Sequence, residues 1–206
     1  MKRIEKAVLV GLILSVIVGN FSVFANKCSN IRGSVLRLHI LANSDSEADQ
    51  ALKLKVRDRI LEETGELFEA TNNLDDAEAK AIYHLEEVQQ IAQDEIKKQG
   101  YDYPVHAEVC SMFFDTRQYG DITMPAGTYD AVRITIGEAK GHNWWCVLYP
   151  PMCIPAAQPK QELSDVLSEE EMEIVAAKPK YEIRFACVEF FERLKNLLSE
   201  QQSQRS

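Results

Sequence analysis

Two short segments concentrate the residue types that could do chemistry. LRLHILANSDS, Leu36–Ser46, holds a histidine, an aspartate and two serines. GHNWWCVLYPPMC, Gly141–Cys153, holds a histidine, two tryptophans and two cysteines. A hydrolase of the triad type needs a serine or cysteine nucleophile, a base and an orienting acid within mutual reach. Spacing decides whether either segment can assemble one.

In the first segment, His39 and Ser44 are the candidate base and nucleophile. Apolar residues alternate with polar ones over Val35–Ala42, which predicts a half-buried strand with Arg37 and His39 on its polar side. Along an extended chain His39 and Ser44 would lie more than about 10 Å apart. No G-x-S-x-G elbow accompanies the serine. We therefore predict no catalytic residue here.

The two serines have a structural interpretation instead. Ser44 and Ser46 each stand three residues before an acidic residue, which is the spacing of a capping box at the start of a helix. The predicted helix ends near Gly65. Charges at four-residue spacing are expected on its solvent side: Asp49, Lys53 and Arg57.

In the second segment, Cys146 could be a nucleophile and His142 its base. Four residues along a strand separate them widely, and neither a glycine-rich elbow nor a helix start lowers the thiol pKa. The C-x6-C spacing also differs from that of structural zinc sites. We predict a Cys146–Cys153 disulfide, which would contribute about 2–3 kcal/mol in the chain-entropy model. An extracytoplasmic thiol or wall-active hydrolase using Cys146 and His142 is the alternative.

The adjacent tryptophans Trp144 and Trp145 face opposite ways if this segment is a strand. One is then expected in the core. The other would be a large exposed aromatic side chain, which suits a protein interface.

The N-terminus resembles a secretory leader. A basic start precedes the apolar run Ala7–Gly19, and small or β-branched residues precede Ala25. We predict a signal peptide over residues 1–25, cleaved after Ala25. In the uncleaved chain, Ala7–Phe24 would act as an N-terminal membrane anchor. Five cysteines fit an exported protein in which pairing leaves one thiol over.

Charge excludes one class of partner. The chain of 206 residues has a formal net charge of −9, and without the leader, whose charge is +2, it has −11. Such a surface repels nucleic acid, because phosphate contacts need clustered Lys and Arg, and it keeps an exported domain soluble. No phosphate loop is present. No cofactor, metal ion or small-molecule substrate is expected.

The remaining elements follow from periodicity. They are a helix over Leu74–Gln99, strands over Val105–Phe114, Thr128–Ile136 and Trp144–Tyr149, a short acidic helix from Ser168, and a mixed segment over Tyr181–Leu198. The last two strands are predicted to form a hairpin with a long loop. The order β-α-α-β-β-β-α-α predicts one α+β domain, residues 26–199, with a mostly antiparallel sheet of about four strands packed against helices. Residues 200–206 form a polar tail.

Two long strings resemble the stage II sporulation protein R family of endospore-forming Firmicutes. They are LRLHILANSDSEADQALKLKVRD and YGDITMPAGTYDAVRITIGEAKGHNWWCVLYPPMC. The resemblance spans roughly Leu36–Cys153, and KYEIRFACVEFF near the C-terminus also fits. Departures lie in the linker after Cys153 and in the polar tail.

The resemblance implies a signal rather than an enzyme. Such a protein is made in the forespore and exported into the space between forespore and mother cell. There it activates a membrane-embedded aspartic-type protease of the mother cell, which cleaves the pro-sequence from the sigma factor E precursor. Residues on the polar side of the matched motif are the expected contact surface: Arg37, His39, Asn43, Asp45, Asp49, Lys53, Trp144 and Trp145.

Overall fold

The protein is described by a computed structural model that covers residues 3–69, 71, 73–120, 122–150, 152, 163–176 and 182–203. The chain divides into two compact units. Unit 1 combines the N-terminal residues to Arg32 with Phe114–Gly127 and the residues from Glu169 onward. Unit 2 consists of Gly33–Phe113 and Thr128–Ser168. The domain boundaries expected at residues 25 and 199 stay predictions.

The described elements follow one another as helices and strands of very different length. They are α1 (Arg3–Arg32), β1 (Leu36–Leu41), α2 (Glu47–Glu69), α3 (Leu74–Tyr83), α4 (Leu85–Lys98), β2 (Val105–Phe114), β3 (Arg117–Tyr119), β4 (Ile122–Met124), β5 (Gly127–Ile136), β6 (Asn143–Tyr149), α5 (Leu163–Val166), α6 (Glu169–Val175) and α7 (Glu182–Ser203). The predicted α+β class is confirmed.

A four-stranded sheet in the order β2-β5-β1-β6 forms the centre of unit 2. Strand β1 is parallel to β5 and antiparallel to β6. Between β2 and β5, Arg133 contacts Glu108 and Thr135 contacts the carbonyl of His106, so residue numbers run in opposite directions, as in antiparallel neighbours. The sheet is therefore mostly antiparallel, as predicted.

The predicted hairpin of β5 and β6 is wrong, because β1 lies between them. The connection Gly137–His142 instead crosses the end of β1. Backbone hydrogen bonds hold it there: Lys140 N donates to the carbonyl of Asn43 (3.1 Å), and Gly141 N donates to that of Ala42 (3.0 Å). We call residues 137–142 the crossing loop.

The apolar residues that alternate along β1 pack into the core on one side of the sheet. Leu36, Leu38 and Ile40 are fully buried and join apolar residues of α2, α3 and α4 in one hydrophobic cluster. Burying one such side chain contributes about 1.5–3 kcal/mol. Leu38 pairs with Val132 on one neighbour and with Cys146 on the other, and both are buried.

The helices of unit 2 differ from the predictions at two points. Helix α2 continues past Gly65 to Glu69. The predicted helix Leu74–Gln99 is two helices, because His84 leaves the helical conformation (φ −95°, ψ 10°). Asn73 directly precedes this segment, and its residue type predicts a cap. The cap is confirmed, since its side chain accepts a hydrogen bond from Asp76 N at 2.9 Å.

Unit 1 is built around α1 and α7. Helix α1 buries Phe24, Cys28 and Ile31, and Phe24 packs edge-on against Phe185 of α7, 5.5 Å between ring centroids. Arg32 donates to the carbonyl of Ala126 (3.0 Å) and forms an ion pair with Glu192 (2.9 Å). The last helix of the unit and its first are thus joined by both apolar and charged contacts.

Two further predictions are corrected in unit 1. The two glycines and one proline of Asp115–Thr128 predict a loop, but the hairpin of β3 and β4 forms there. Ile122 also makes a bridge to Ala176. The mixed C-terminal segment is helical from Glu182 to Ser203, so the helix enters the predicted polar tail.

By length and composition, α1 is apolar enough to cross a membrane. Such a helix near the N-terminus is compatible with a signal peptide or an anchor. It runs without a break through Ala25 to Arg32. Cleavage after Ala25 would therefore detach Phe24 from the unit 1 core.

We expect Gly141→Ala to loosen the crossing loop. A Cβ at this position would lie 2.2 Å from the carbonyl oxygen of Ser44. Because that oxygen belongs to the backbone and cannot rotate away, the free energy of unfolding should fall by about 3 kcal/mol. Urea unfolding followed by tryptophan fluorescence measures this, since both tryptophans of the chain lie in unit 2.

Gly100→Ala is the matched control. Gly100 has a φ of +83° but nothing within 4 Å of an added Cβ. Only backbone strain of about 1 kcal/mol is expected there. If Gly141→Ala costs no more than Gly100→Ala, the close approach of the crossing loop to the end of β1 is wrong.

Candidate functional site

Polar residues gather where β1 ends and the crossing loop passes over it. Five of them form what we call the strand-end cluster: Asn43, Asp45, Asp49, Lys53 and His142. All lie in unit 2. Four belong to the predicted contact surface, and His142 was considered only as a base for Cys146.

The turn from β1 into α2 is set by its two serines. Ser46 Oγ accepts a hydrogen bond from Asp49 N (3.1 Å), so its predicted capping role is confirmed. The second predicted cap is corrected. Ser44 Oγ donates to the Asp49 carboxylate (2.5 Å) and accepts from Ser46 N (3.2 Å), which ties the turn together instead of ending the helix. Neither hydroxyl is arranged as a nucleophile.

Asn43 joins three parts of the site. Its Oδ1 accepts from Glu138 N (2.9 Å) in the crossing loop, and its Nδ2 donates to Asp49 (2.9 Å) at the start of α2. Gly137 lies so close that an added Cβ would be 2.3 Å from Asn43 Oδ1. The amide therefore fixes the loop to both β1 and α2.

Asp49 is a buried carboxylate with several donors. It is 5 % exposed. Burial alone would raise its pKa, but hydrogen bonds from Ser44, Asn43 and Tyr103 outweigh that effect and lower the pKa below its usual value. Asp49 is thus held as an anion inside the fold, where it organises the turn.

Lys53 is also buried, at 4 % exposed. Its Nζ donates to Gln50 Oε1 (2.6 Å) and to the carbonyl of His142 (2.7 Å). Burial lowers the pKa of Lys53, and the nearby Asp45 charge partly offsets the shift. The predicted solvent-side ladder is wrong, because Asp49 and Lys53 face inward and hold the crossing loop against α2.

The accessible part of the cluster is the pair formed by Asp45 and His142. Their side chains are 56 % and 80 % exposed. Asp45 Oδ1 accepts from the backbone N of His142 (2.6 Å) and contacts its ring Nδ1. The hydrogen bond from the His142 side chain lowers the pKa of Asp45. A carboxylate that accepts hydrogen bonds and an imidazole that has both a donor and an acceptor nitrogen when neutral are thus presented to solvent in a fixed arrangement.

Arg37 and His39 were expected at an exposed edge, and that expectation is wrong. Arg37 is 0 % and His39 3 % exposed. The Arg37 guanidinium lies over the ring of Tyr129, 4.9 Å from its centroid. On this face of the sheet Tyr129 of β5 and Trp145 of β6 pack beside the two side chains, with His39 and Trp145 5.7 Å apart between ring centroids.

Both tryptophans are half-buried, so neither is fully core nor fully exposed. Trp144 packs on the apolar cluster, and Arg57 covers its ring at 4.2 Å. Trp145 lies on the opposite face, edge-on to His39 at 5.7 Å. The predicted opposite orientation is thus found, with one ring on each side of the sheet.

The alternative thiol site is not assembled. Cys146 is 4 % exposed and disulfide-bonded, and it faces the apolar cluster. His142 lies in the exposed crossing loop and pairs with Asp45. Cys153 falls outside the described residues, so its pairing with Cys146 stays a prediction. Within the described part of the chain, no group of His, Cys, Asp and Glu is placed to hold a metal ion.

Sequence periodicity did not predict the contact between Asp45 and His142, which are 97 residues apart in sequence. The sequence shows only a short polar loop that contains Gly137 and Gly141. Which residues this loop contacts depends on the strand order, and periodicity carries no information on strand order.

The part of the chain that contains this site is similar to known proteins. The family model described as Stage II sporulation protein R matches residues 32–159, which include the whole strand-end cluster. A protein of Bacillus subtilis (strain 168), described as Stage II sporulation protein R, is 35 % identical over 156 residues, which cover 72 % of this chain and 70 % of that protein. No solved structure matches the chain.

His39 makes stability depend on pH. Burial is the main cause that lowers its pKa to about 4, and the Arg133 and Arg37 charges act in the same direction, while a hydrogen bond with Asn143 opposes them. The unfolded value is about 6.5. Because the folded state binds this proton more weakly, the stabilisation is complete above about pH 6.5 and is lost as pH falls toward 4.

We expect the free energy of unfolding to fall by about 2–3 kcal/mol more in the wild type than in His39→Gln between about pH 6.5 and 4.5. Gln can still hydrogen-bond but does not titrate. Urea unfolding at several pH values measures the two slopes. Parallel slopes would show that His39 is not a buried neutral imidazole.

Proposed function

The chain belongs to the stage II sporulation protein R family, and from this premise we propose that it is an exported signal that activates a protease. The protease is a membrane-embedded, aspartic-type enzyme of the mother cell at the sporulation septum. Its activation triggers cleavage of the sigma factor E precursor. In this proposal the chain supplies a contact surface and performs no chemistry itself.

One observation carries the proposal from the site: the polar residues that resemble catalytic groups are engaged in holding the fold. Ser44 is bonded to Asp49, Cys146 is disulfide-bonded, and Lys53 is bound to the crossing loop. What reaches solvent is a histidine–aspartate pair, and among the described residues no serine or cysteine nucleophile is engaged with it. Such an arrangement favours recognition over catalysis.

The geometry also suits recognition energetically. The crossing loop is already held in place in the unbound chain, since Asn43 and Lys53 form hydrogen bonds with its backbone. A preorganised surface loses less conformational freedom on binding, so more of the contact energy appears as affinity. Activation further requires that the signal bind the active arrangement of the protease more tightly than the inactive one.

The expected contact surface is revised accordingly. We assign direct contact to Asp45 and His142, with the half-buried Asn43, Trp144 and Trp145 at its border. The four buried members of the predicted set are left out of direct contact: Arg37, His39, Asp49 and Lys53. Asp49 and Lys53 hold the turn and the crossing loop in place from inside.

Delivery to the septal space is the role we propose for α1. It would direct export as a signal peptide, or hold the protein at the membrane as an anchor. The acidic remainder of the chain, with its formal charge of −11 outside the leader, suits an exported domain.

The proposal is tested by co-expressing the chain with the candidate protease and the sigma factor E precursor in a host that does not sporulate. Processing should depend on the chain. The double variant Asp45→Asn/His142→Ala should reduce the processing rate about tenfold or more, as loss of a central contact pair does. It keeps an oxygen acceptor for the His142 backbone N–H, so the loop should stay in place.

Glu62→Ala is the matched control, since it removes a carboxylate that is 73 % exposed on the outer side of α2. It should process the precursor at the wild-type rate. Export and thermal unfolding are measured separately for every variant. If the double variant is exported, folded and fully active, the assigned contact surface is wrong; if the wild type has no effect on processing, the function is wrong.

A further inference from the structure

Helix α7 carries a wide apolar face that is turned toward solvent. Its large side chains are between 43 % and 65 % exposed: Phe190, Phe191, Leu194, Leu197 and Leu198. With 3.6 residues per turn these positions share one side of the helix, and the exposed Cys187 lies on it too. Phe185 and Val188, which are buried in unit 1, lie on the opposite side.

Three charged residues of α7 contact other residues of unit 1. Glu192 pairs with Arg32 (2.9 Å), Glu189 accepts a hydrogen bond from Thr116 N (3.3 Å), and Arg193 pairs with Asp115 (3.0 Å). Unit 1 therefore uses both the buried apolar residues and the charges of one side of α7. Among the described residues, none covers a comparable part of the outward apolar face.

This face continues the apolar surface of α1. Phe191 contacts Phe21 of α1, with ring centroids 5.6 Å apart. Residues 3–20 of α1, on the N-terminal side of that contact, are all exposed, and this helix is apolar enough to span a membrane. The outward face of α7 thus begins where the exposed, membrane-compatible part of α1 ends.

We propose that α1 is retained as an anchor and that the outward face of α7 lies on the lipid bilayer that α1 enters. A helix with one apolar side lies in the plane of a membrane surface with that side buried below the headgroups. Lys195 is exposed beside the face and can extend its ammonium group to the headgroups while its stem stays apolar. Lipid is the occupant because the face joins the candidate membrane span directly.

Retention of α1 is part of the same inference. Cleavage after Ala25 would remove Phe21 and Phe24, which contact Phe191 and Phe185 of α7. Helix α7 would then lose both of these ring contacts with α1. The inference is independent of the protease proposed as partner.

A probe on the exposed thiol of Cys187 tests the proposal with the full-length chain in vesicles of phosphatidylcholine and phosphatidylglycerol. Cys187 is exposed, whereas Cys28 is buried, and burial raises the pKa of the Cys110 thiol. A thiol-reactive fluorophore at neutral pH should therefore label Cys187 first. Lipids that carry a quencher on their acyl chains then report contact with the bilayer.

The matched control moves the same label with Cys187→Ser/Ser199→Cys. Ser199 is exposed but lies about 120° away around the helix. We expect lipid quenching at position 187 to be at least about threefold stronger than at position 199, as burial of one face only requires. Leu194→Gln/Leu198→Gln should abolish the difference while the urea midpoint stays unchanged, because both side chains are exposed.

Two results would overturn the inference. Equal, weak lipid quenching at both positions, with full access to an aqueous quencher, would show that the face remains in water. Shielding of position 187 from water without lipid quenching, together with cross-linked dimers, would show that a second copy covers it.

Discussion

Pairing of β1 with a neighbour on each side constrains the rest of unit 2. Because β5 runs parallel to β1 and β6 antiparallel to it, the chain between them must cross the end of β1. That end is where the polar turn into α2 begins. The crossing loop is therefore brought against Asn43, and Lys53 closes the contact from α2. The exposed pair of Asp45 and His142 exists only because these segments meet.

Several polar residues of β1 and α2 are buried in spite of their charge or polarity. Arg37 and His39 of β1 are buried, and each packs beside an aromatic ring. Asp49 gains donors that compensate for its loss of water. Most of the polar side chains in this region thus stabilise the fold, and few polar groups of the predicted contact surface remain accessible to a partner.

Features set by near neighbours in sequence could be predicted, and features set by distant pairing could not. Alternation located β1 and β5 to within a residue. The cap at Ser46 follows from a spacing of three residues, and the cap at Asn73 from its residue type directly before a helix. Strand order depends on contacts across almost a hundred residues, so the false hairpin and the missed partner of Asp45 share one cause. Asp45 was chosen correctly as exposed, but the role of His142 was not visible.

The central claim is that the crossing loop touches the protease directly. Photo-cross-linking from position 142 in sporulating cells tests it most closely, with a cross-linker at position 62 on the exposed side of α2 as control. We expect a cross-linked product between the chain and the septal protease from position 142 and none from position 62. Equal products from both positions, or none from position 142 while the precursor is still processed, would contradict it.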